Sequence, residues 1–509
     1  MSEVWETGKV QVDSVVAPPD VEHGEPDGDR PKEFTVNIAL HDLAEKLRGQ
    51  DDQAAGVPTD EEDLSLSQEI LSKVKFGKDV EILAISSPSS RILCYFLGTN
   101  AVEKIEHASI EHPRMVAFLL MENMIRFMGS KGYEFAGELN FNDRGICMCD
   151  KHTWDLLEEN VSFTSVGYLF FEHSGDKDKN VVFDVYTDPN APYAKIYCRT
   201  KDETHSKTLL KELEVYTKGA NCLRGQKLKD IHVTEATFSL ENSHDGCTWD
   251  KFYYPDAIRD IFESDIFGFL DNVESYVANG IKKRGIMLTG CPGVGKTTLG
   301  RMICKYANKH TVIWITPELI GIHGGDAIRL LYILAEYLSP VAIILEDIDL
   351  YSEDRNDVSE SVRLGTLLNV LDGVNSVSKS VTVAMTNRIE LIEKALRNRP
   401  GRFDRVVEIP AFDDKDLRIK MLTDRLEPFN IKEEAFELVV SETNGFTGAA
   451  MQEFVNSLRI HFINNQLPDD TCVDVDMTKK IFARINQFSL SGKNGQSTSE
   501  GAGFAAEKK

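Results

Sequence analysis

Gly290-Cys291-Pro292-Gly293-Val294-Gly295-Lys296-Thr297 satisfies G-x-x-x-x-G-K-[ST] at every fixed position. Arg284 to Thr289 (RGIMLT) precedes it as a short apolar run of strand length, and Thr298 to Ala307 follows as a helix. Strand, glycine-rich loop and helix in that order is the context this pattern requires. Residues poor in side chains let successive backbone N–H groups turn inward around phosphate oxygens. The following helix points its N-terminus at the same anion. Lys296 is then placed for the β- and γ-phosphates, and the Thr297 hydroxyl for magnesium.

Working outward, a phosphate site of this kind needs acidic partners. Val341 to Leu345 is a second apolar run, and it ends in Glu346-Asp347-Ile348-Asp349. Carboxylates at the end of a buried strand would lie beside the loop-held metal. One would bind its water shell, and its neighbour would orient or deprotonate an attacking water. A third strand, Ser380 to Ala384, leads to Thr386-Asn387-Arg388, where the Asn387 amide could hold that water from the other side. Beyond it, Arg397-Asn398-Arg399-Pro400-Gly401-Arg402-Phe403-Asp404-Arg405 carries four arginines in nine residues. Such a cluster is commonly a solvated face. The Pro-Gly inside it points instead to a shaped loop that presents guanidinium groups outward, as an arginine finger for a neighbouring subunit would need.

The rest of the 509 residues has a soluble, globular composition: 42% hydrophobic, 27% charged and a formal net charge of −25. That charge argues against a broad nucleic-acid or anionic-membrane surface. No apolar run approaches the ~20 residues of a spanning helix, and the first residues show no signal pattern. The sequence therefore predicts a soluble, cytoplasmic protein. Nine dispersed cysteines read as reduced thiols. Residues 1–75 form an acidic tail, with 17 Asp and Glu against 5 Lys and Arg in the first 63. Ile38, Leu40, Leu43 and Leu47, and then Leu66, Ile70 and Val74, mark short amphipathic helices in it, either transient or docking a partner. Residues 76–245 read as an α/β unit for a substrate or adaptor. It has a buried helix at Met115 to Met128 and strands at Val166 to Glu172, Val181 to Tyr186 and Ala194 to Arg199. A helix at Thr204 to Lys218 follows, with Leu209, Leu210, Leu213 and Val215 on its apolar side. Cys147, Cys149 and His152 lack the second ligand pair of a structural zinc site and read as strand residues. Residues 488–509 form a flexible Gly/Ser-rich tail.

From about Trp249 to Leu467 the chain resembles the AAA family of P-loop ATPases. The glycine loop matches the family's Walker A, Leu345 to Asp349 its Walker B, and Met385 to Arg388 its sensor-1 stretch. Leu367 to Gly373 is similar to the helix before sensor 1. Arg399-Pro400-Gly401-Arg402-Phe403-Asp404-Arg405 resembles the second region of homology. Asn444-Gly445-Phe446-Thr447-Gly448-Ala449-Ala450 is similar to the turn in the small helical lid. The resemblance implies a three-layer α/β module with a parallel five-stranded sheet over 246–411 and a helical lid over 412–487. It implies ATP and Mg²⁺ bound between them, touching Gly448 and Ala449 of the lid, and a ring of six copies in which Arg399 and Arg402 are the fingers. Glu346 falls on the magnesium side and Asp347 on the water-activating side.

Two departures bear on mechanism. The family usually has Asp then Glu at the strand end, whereas this chain has Glu346 then Asp347. The reversed order is similar to the branch containing the mitochondrial translocase for the Rieske iron–sulfur protein. That branch carries an N-terminal membrane helix for which this sequence has no match, and the lid turn looks more like the protein-unfolding branches. Protein-threading rings place an aromatic-hydrophobic-glycine triplet in a pore loop after the second strand. Here Leu319-Ile320-Gly321 stands in that place without an aromatic, in a stretch expected to be a loop that includes His323. The expected function is ATP-driven remodelling, unfolding or disassembly of a protein. A nucleotide-gated scaffold with slow hydrolysis and a nucleic-acid loader are the alternatives. No His-Glu-x-x-His occurs, so the sequence has no zincin-type protease motif.

Overall fold

The computed structural model describes residues 93–94, 96–99, 102–142, 145–147, 149–156, 159–187, 193–232, 235–241, 246–352, 377–390, 392 and 403–490. The acidic segment 1–75, the stretch 367–373, Arg399 and Arg402, and residues 491–509 lie outside them.

The first sheet is antiparallel throughout. It comprises β1 (Glu106–Pro113), β2 (Tyr133–Asn142), β3 (Gly145–Cys147), β4 (Asp150–Asp155), β5 (Asn160–His173), β6 (Val181–Thr187) and β7 (Tyr193–Thr200). Their order is β1-β7-β6-β5-β2-β3, with β4 also paired to β5. In β6 the first five residues are all buried, as befits a central strand, while β7 alternates strictly. Helix α1 (Arg114–Ser130) is buried over most of its circumference, as its unbroken apolar sequence requires. Helix α2 (Glu203–Gly219) is capped by Asp202, whose carboxylate accepts from the Thr204 N–H at 2.9 Å. It buries Leu209, Leu210 and Leu213. Val215, expected beside them, is 66% exposed. Two residues beyond Leu213, at 3.6 residues per turn, it has swung to the opposite face.

The second sheet is built from β8 (Lys227–His232), β9 (Thr237–Leu240), β10 (Lys283–Thr289), β11 (Thr311–Ile315), β12 (Val341–Leu345), β13 (Ser380–Thr386) and β14 (Arg405–Glu408). Its order is β14-β10-β13-β12-β11-β8-β9. All its pairs are parallel except the β8–β9 hairpin. The sheet therefore has seven strands where five are expected, and the extra two come from within residues 76–245. β8 was hard to read because its sequence, KLKDIH, is half charged. Lys227 fits there by donating to the carbonyls of Gly225 (2.9 Å), Ala307 (2.9 Å) and His310 (2.7 Å), and burial lowers its pKa to about 8.

Helix α3 (Lys296–Tyr306) follows β10, and α4 (Pro317–Tyr337) follows β11. Helix α4 overturns the expected pore loop. Leu319-Ile320-Gly321 lies in its first turns, and Leu319 is 4% exposed. Pro317 starts the helix where a missing N–H costs nothing. The C-terminal half is then held by packing, which outweighs the poor propensity of Gly321, Gly324 and Gly325. Ile328, Leu331, Leu334 and Ala335 of α4 share one continuous core with Leu119, Phe171 and Ile196 of the first sheet's layer. Around this core, the Tyr337 hydroxyl donates to Glu214 (3.4 Å), His112 lies 2.6 Å from the same Glu214 oxygen, and Arg329 donates to the Tyr193 hydroxyl (2.7 Å). The other face of the second sheet buries Ile286, Leu288, Ile303 and Trp314 against Phe262 and Phe269.

The chain ends in α5 (Lys415–Leu426), α6 (Glu433–Glu442), α7 (Gly448–Asn464) and α8 (Val475–Leu490), which enclose a separate core around Phe454, Leu422 and Ile481. Among the described residues no helix is long and apolar enough to cross a membrane. The shared core predicts that the first sheet and the second sheet unfold together. Ile328→Ala, at a fully buried position, is expected to cost about 2–5 kcal/mol and to lower one common calorimetric transition. Two transitions, only one of them shifted, would show independent units.

Candidate functional site

Because β10, β11, β12 and β13 are parallel, their carboxyl ends share one edge, where ligands of open α/β sheets bind. The loop 290–295 leaves β10 at that edge and enters α3. Gly295 there has φ of +104°, a conformation that favours glycine, and a Cβ on it would collide with the Tyr254 hydroxyl. That hydroxyl donates to the Val294 carbonyl at 2.7 Å, tying the loop to the segment ahead of the sheet.

Lys296, 6% exposed, donates to the carbonyls of Gly290 (2.7 Å) and Cys291 (3.2 Å) and to Asn387 Oδ1 (2.7 Å). Burial lowers its pKa, opposed by the charges of Asp347 and Asp349. The Thr297 hydroxyl donates to Glu346 Oε1 at 2.6 Å, and the Trp314 indole N–H donates to Glu346 Oε2 at 3.1 Å. Asp347 has φ of +44°, an uncommon left-handed turn that re-aims its carboxylate as the strand ends. Asn387 Nδ2 donates to Asp347 Oδ1 at 3.0 Å. Asp349 is 3% exposed and accepts from the Thr386 hydroxyl (2.8 Å) and the Asn387 backbone N–H (3.0 Å). Burial raises the Asp347 pKa, helped by the negative charges of Asp349 and Glu346 and opposed by Lys296 and the Asn387 hydrogen bond.

A cleft of about 730 Å³ opens beside these groups. Pro292 to Thr298, Asp347 and Asn387 line one wall, while Phe412, Met421, Arg425, Gly448, Ala449 and Gln452 line the other. The two walls meet where the Ala449 N–H donates to the Gly293 carbonyl at 3.0 Å. Arg425 donates to Gln452, and Tyr253 to Asp424 at 2.6 Å.

The structure thus brings Gly290, Cys291, Pro292, Gly293, Val294, Gly295, Lys296, Thr297, Thr298, Glu346, Asp347, Asn387, Gly448 and Ala449 to one edge. Arg399 and Arg402 lie outside the described residues. Sequence reasoning missed four supports. Asp349 was visible as a third carboxylate but had no assigned role. Trp314 was hidden in an apolar strand, although a buried indole needs an acceptor. Tyr254 and Arg425 lie far from any motif.

Residues 286–411 match the ATPase family associated with various cellular activities (AAA). The chain carries an AAA domain. It is similar to ATPase family gene 2 protein of Saccharomyces cerevisiae, 34% identical over 38% of this chain and 26% of the relative. Likeness to a cell division cycle protein 48 homolog of Archaeoglobus fulgidus is 30% over 36% and 26%. A proteasome-activating nucleotidase of Methanoregula boonei is 28% identical over 56% of this chain and 68% of its own length. The chain covers about a quarter of the length of the first of these relatives. The AAA match runs from β10 to just beyond β14, leaving the antiparallel sheet outside it.

The crowding of carboxylates in the AAA domain has a measurable consequence. A folded-state pKa above the unfolded value means that the native state binds more protons in that window, so stability falls as pH rises through it. At neutral pH the cost is fully present. Asp347→Asn keeps an oxygen for Asn387 and removes the charge. It should raise the melting temperature at pH 7 to 8, with the gain shrinking as pH falls into the carboxylate range. A gain independent of pH would refute the electrostatic cause.

Proposed function

We propose that the AAA domain hydrolyses ATP with Mg²⁺ in this cleft, and that copies of the chain form a ring, expected to be a hexamer, that remodels a protein substrate. One observation carries the reading: the ammonium, hydroxyl, two carboxylates and amide of Lys296, Thr297, Glu346, Asp347 and Asn387 converge at one sheet edge beside a nucleotide-sized cleft. The hard oxygens of Thr297 and Glu346 suit magnesium, which keeps most of its water and takes few protein ligands. When bound, the ion would neutralise charge developing on the phosphates.

The chain's own groups do the rest. The loop's N–H groups cradle the phosphates, and Lys296 exchanges the Asn387 oxygen for a γ-phosphate oxygen. Asn387 Oδ1, released, accepts from the attacking water on one side. Asp347 takes the water's proton as its oxygen bonds to phosphorus and the bond to the ADP oxygen breaks. Desolvation raises the basicity of Asp347, which suits it to that proton. Asp349 holds the Asn387 backbone still. Arg399 and Arg402 are assigned to the neighbouring copy's γ-phosphate, where such a residue typically contributes about 10³–10⁵ in rate.

The relatives named for the proteasome and for the cell division cycle support a protein substrate, as does the net charge of −25, which disfavours nucleic acid. Residues 76–245 are the assigned substrate or adaptor unit. A switching ring, with hydrolysis serving as a timer, is a second reading favoured by the burial of Leu319 within α4, where a threading loop would expose it.

Lys296→Ala should abolish ATP binding while circular dichroism stays unchanged; undiminished affinity would remove the lysine from the site. Asp347→Asn should bind ATP but turn it over at least a hundredfold more slowly, and surviving turnover would remove Asp347 as base. Arg402→Ala mixed with intact chains should depress activity beyond its own fraction. A strictly proportional fall would mean that subunits work alone.

A further inference from the structure

Glu346 carries one methylene more than the aspartate usual at its place, and each of its oxygens has a donor. Oε1 takes the Thr297 hydroxyl at 2.6 Å and Oε2 the Trp314 indole N–H at 3.1 Å. Its backbone N–H donates to the Ile315 carbonyl at 3.0 Å, so both ends of the residue are tied to β11. The indole itself is held firmly. Trp314 is 2% exposed, and α3 lies against it so closely that a Cβ on Gly300 would come within 2.9 Å of Cη2. The Lys229 ammonium lies 5.8 Å from the ring centroid and pairs with Glu241 at 3.2 Å. Lys229 is opposite Trp314 in the β8–β11 ladder. With the ring fixed, its N–H points at one acceptor.

We propose that Trp314 is the positioning residue of the magnesium-side carboxylate. By holding Oε2, the indole turns Oε1 toward Thr297 and the metal. The extra methylene is what lets the side chain span both donors, since a shorter aspartate reaches one and forfeits the other. β8, which leads directly from α2 and the antiparallel sheet, is part of this support. The proposal rests on the nucleotide-site reading above.

The test uses the full chain. Mn²⁺ binding is measured by electron paramagnetic resonance with a non-hydrolysable ATP analogue, and metal-free nucleotide affinity is measured in EDTA. Trp314→Phe should weaken Mn²⁺ by about 10–100-fold and leave metal-free affinity unchanged. Glu346→Asp, which leaves the buried ring intact, should show the same loss, and the double variant should be no worse than either single one. Wild-type metal affinity in Trp314→Phe, or losses that multiply in the double variant, would overturn the proposal. If Trp314→Phe melts early, Glu346→Asp decides alone, and unchanged metal affinity there overturns it. Intact protein that binds nucleotide neither with nor without metal would sink the site reading itself. Normal binding by the intact protein, matched by both variants, would sink only the indole's role.

Discussion

One buried ammonium faces three carboxylates at the end of a single strand, and the site depends on how that imbalance is met. Glu346, Asp347 and Asp349 follow β12 within four residues, and the Lys296 ammonium stands beside them. Unpaired charge in low dielectric is costly, so each carboxylate must collect neutral donors. Glu346 takes a hydroxyl and an indole, Asp347 an amide, and Asp349 a hydroxyl and a backbone N–H. Asp347 takes one such donor, and burial, helped by the charges of Asp349 and Glu346, raises its pKa. The residue assigned as base also holds a left-handed backbone turn, and strain of that kind is common at functional sites.

The parts legible in sequence were those with short-range signals. The glycine loop, the β12 carboxylates and Asn387 could be placed because each follows an apolar run within a few residues. The strands at 341–345 and 181–187 were found almost to the residue, the first as an unbroken apolar word and the second by its alternation after a polar turn. β8 was missed because its Lys227 is satisfied by carbonyls of residues up to 83 positions away, a relation no local pattern carries. The loop expected after β11 rested on the resemblance to pore loops, but the helix is decided by what its second half buries against another sheet.

That burial also changes what the antiparallel sheet is to the AAA domain. It does not hang on a linker, because α4 lies in one continuous core with the first sheet's layer and β8 extends the second sheet itself. α4 begins just past the carboxyl end of β11, beside the site, and ends against Glu214 and His112 of the other layer. From Ile328 to Tyr337 the helix is packed into that core, and packed cores of this kind pass displacement on instead of absorbing it.

The reversed acidic pair then needs no loss of function to explain it. In the proposed roles, the shorter Asp347 leaves the strand through a left-handed turn and accepts from Asn387. The longer Glu346 accepts from the indole of Trp314, and its backbone N–H donates to the Ile315 carbonyl. Swapping the two residues back without altering Trp314 and that turn would leave the aspartate short of one donor and the glutamate pushed too far into the cleft. The order of the two acids and the indole beneath them belong to one solution of the same geometry.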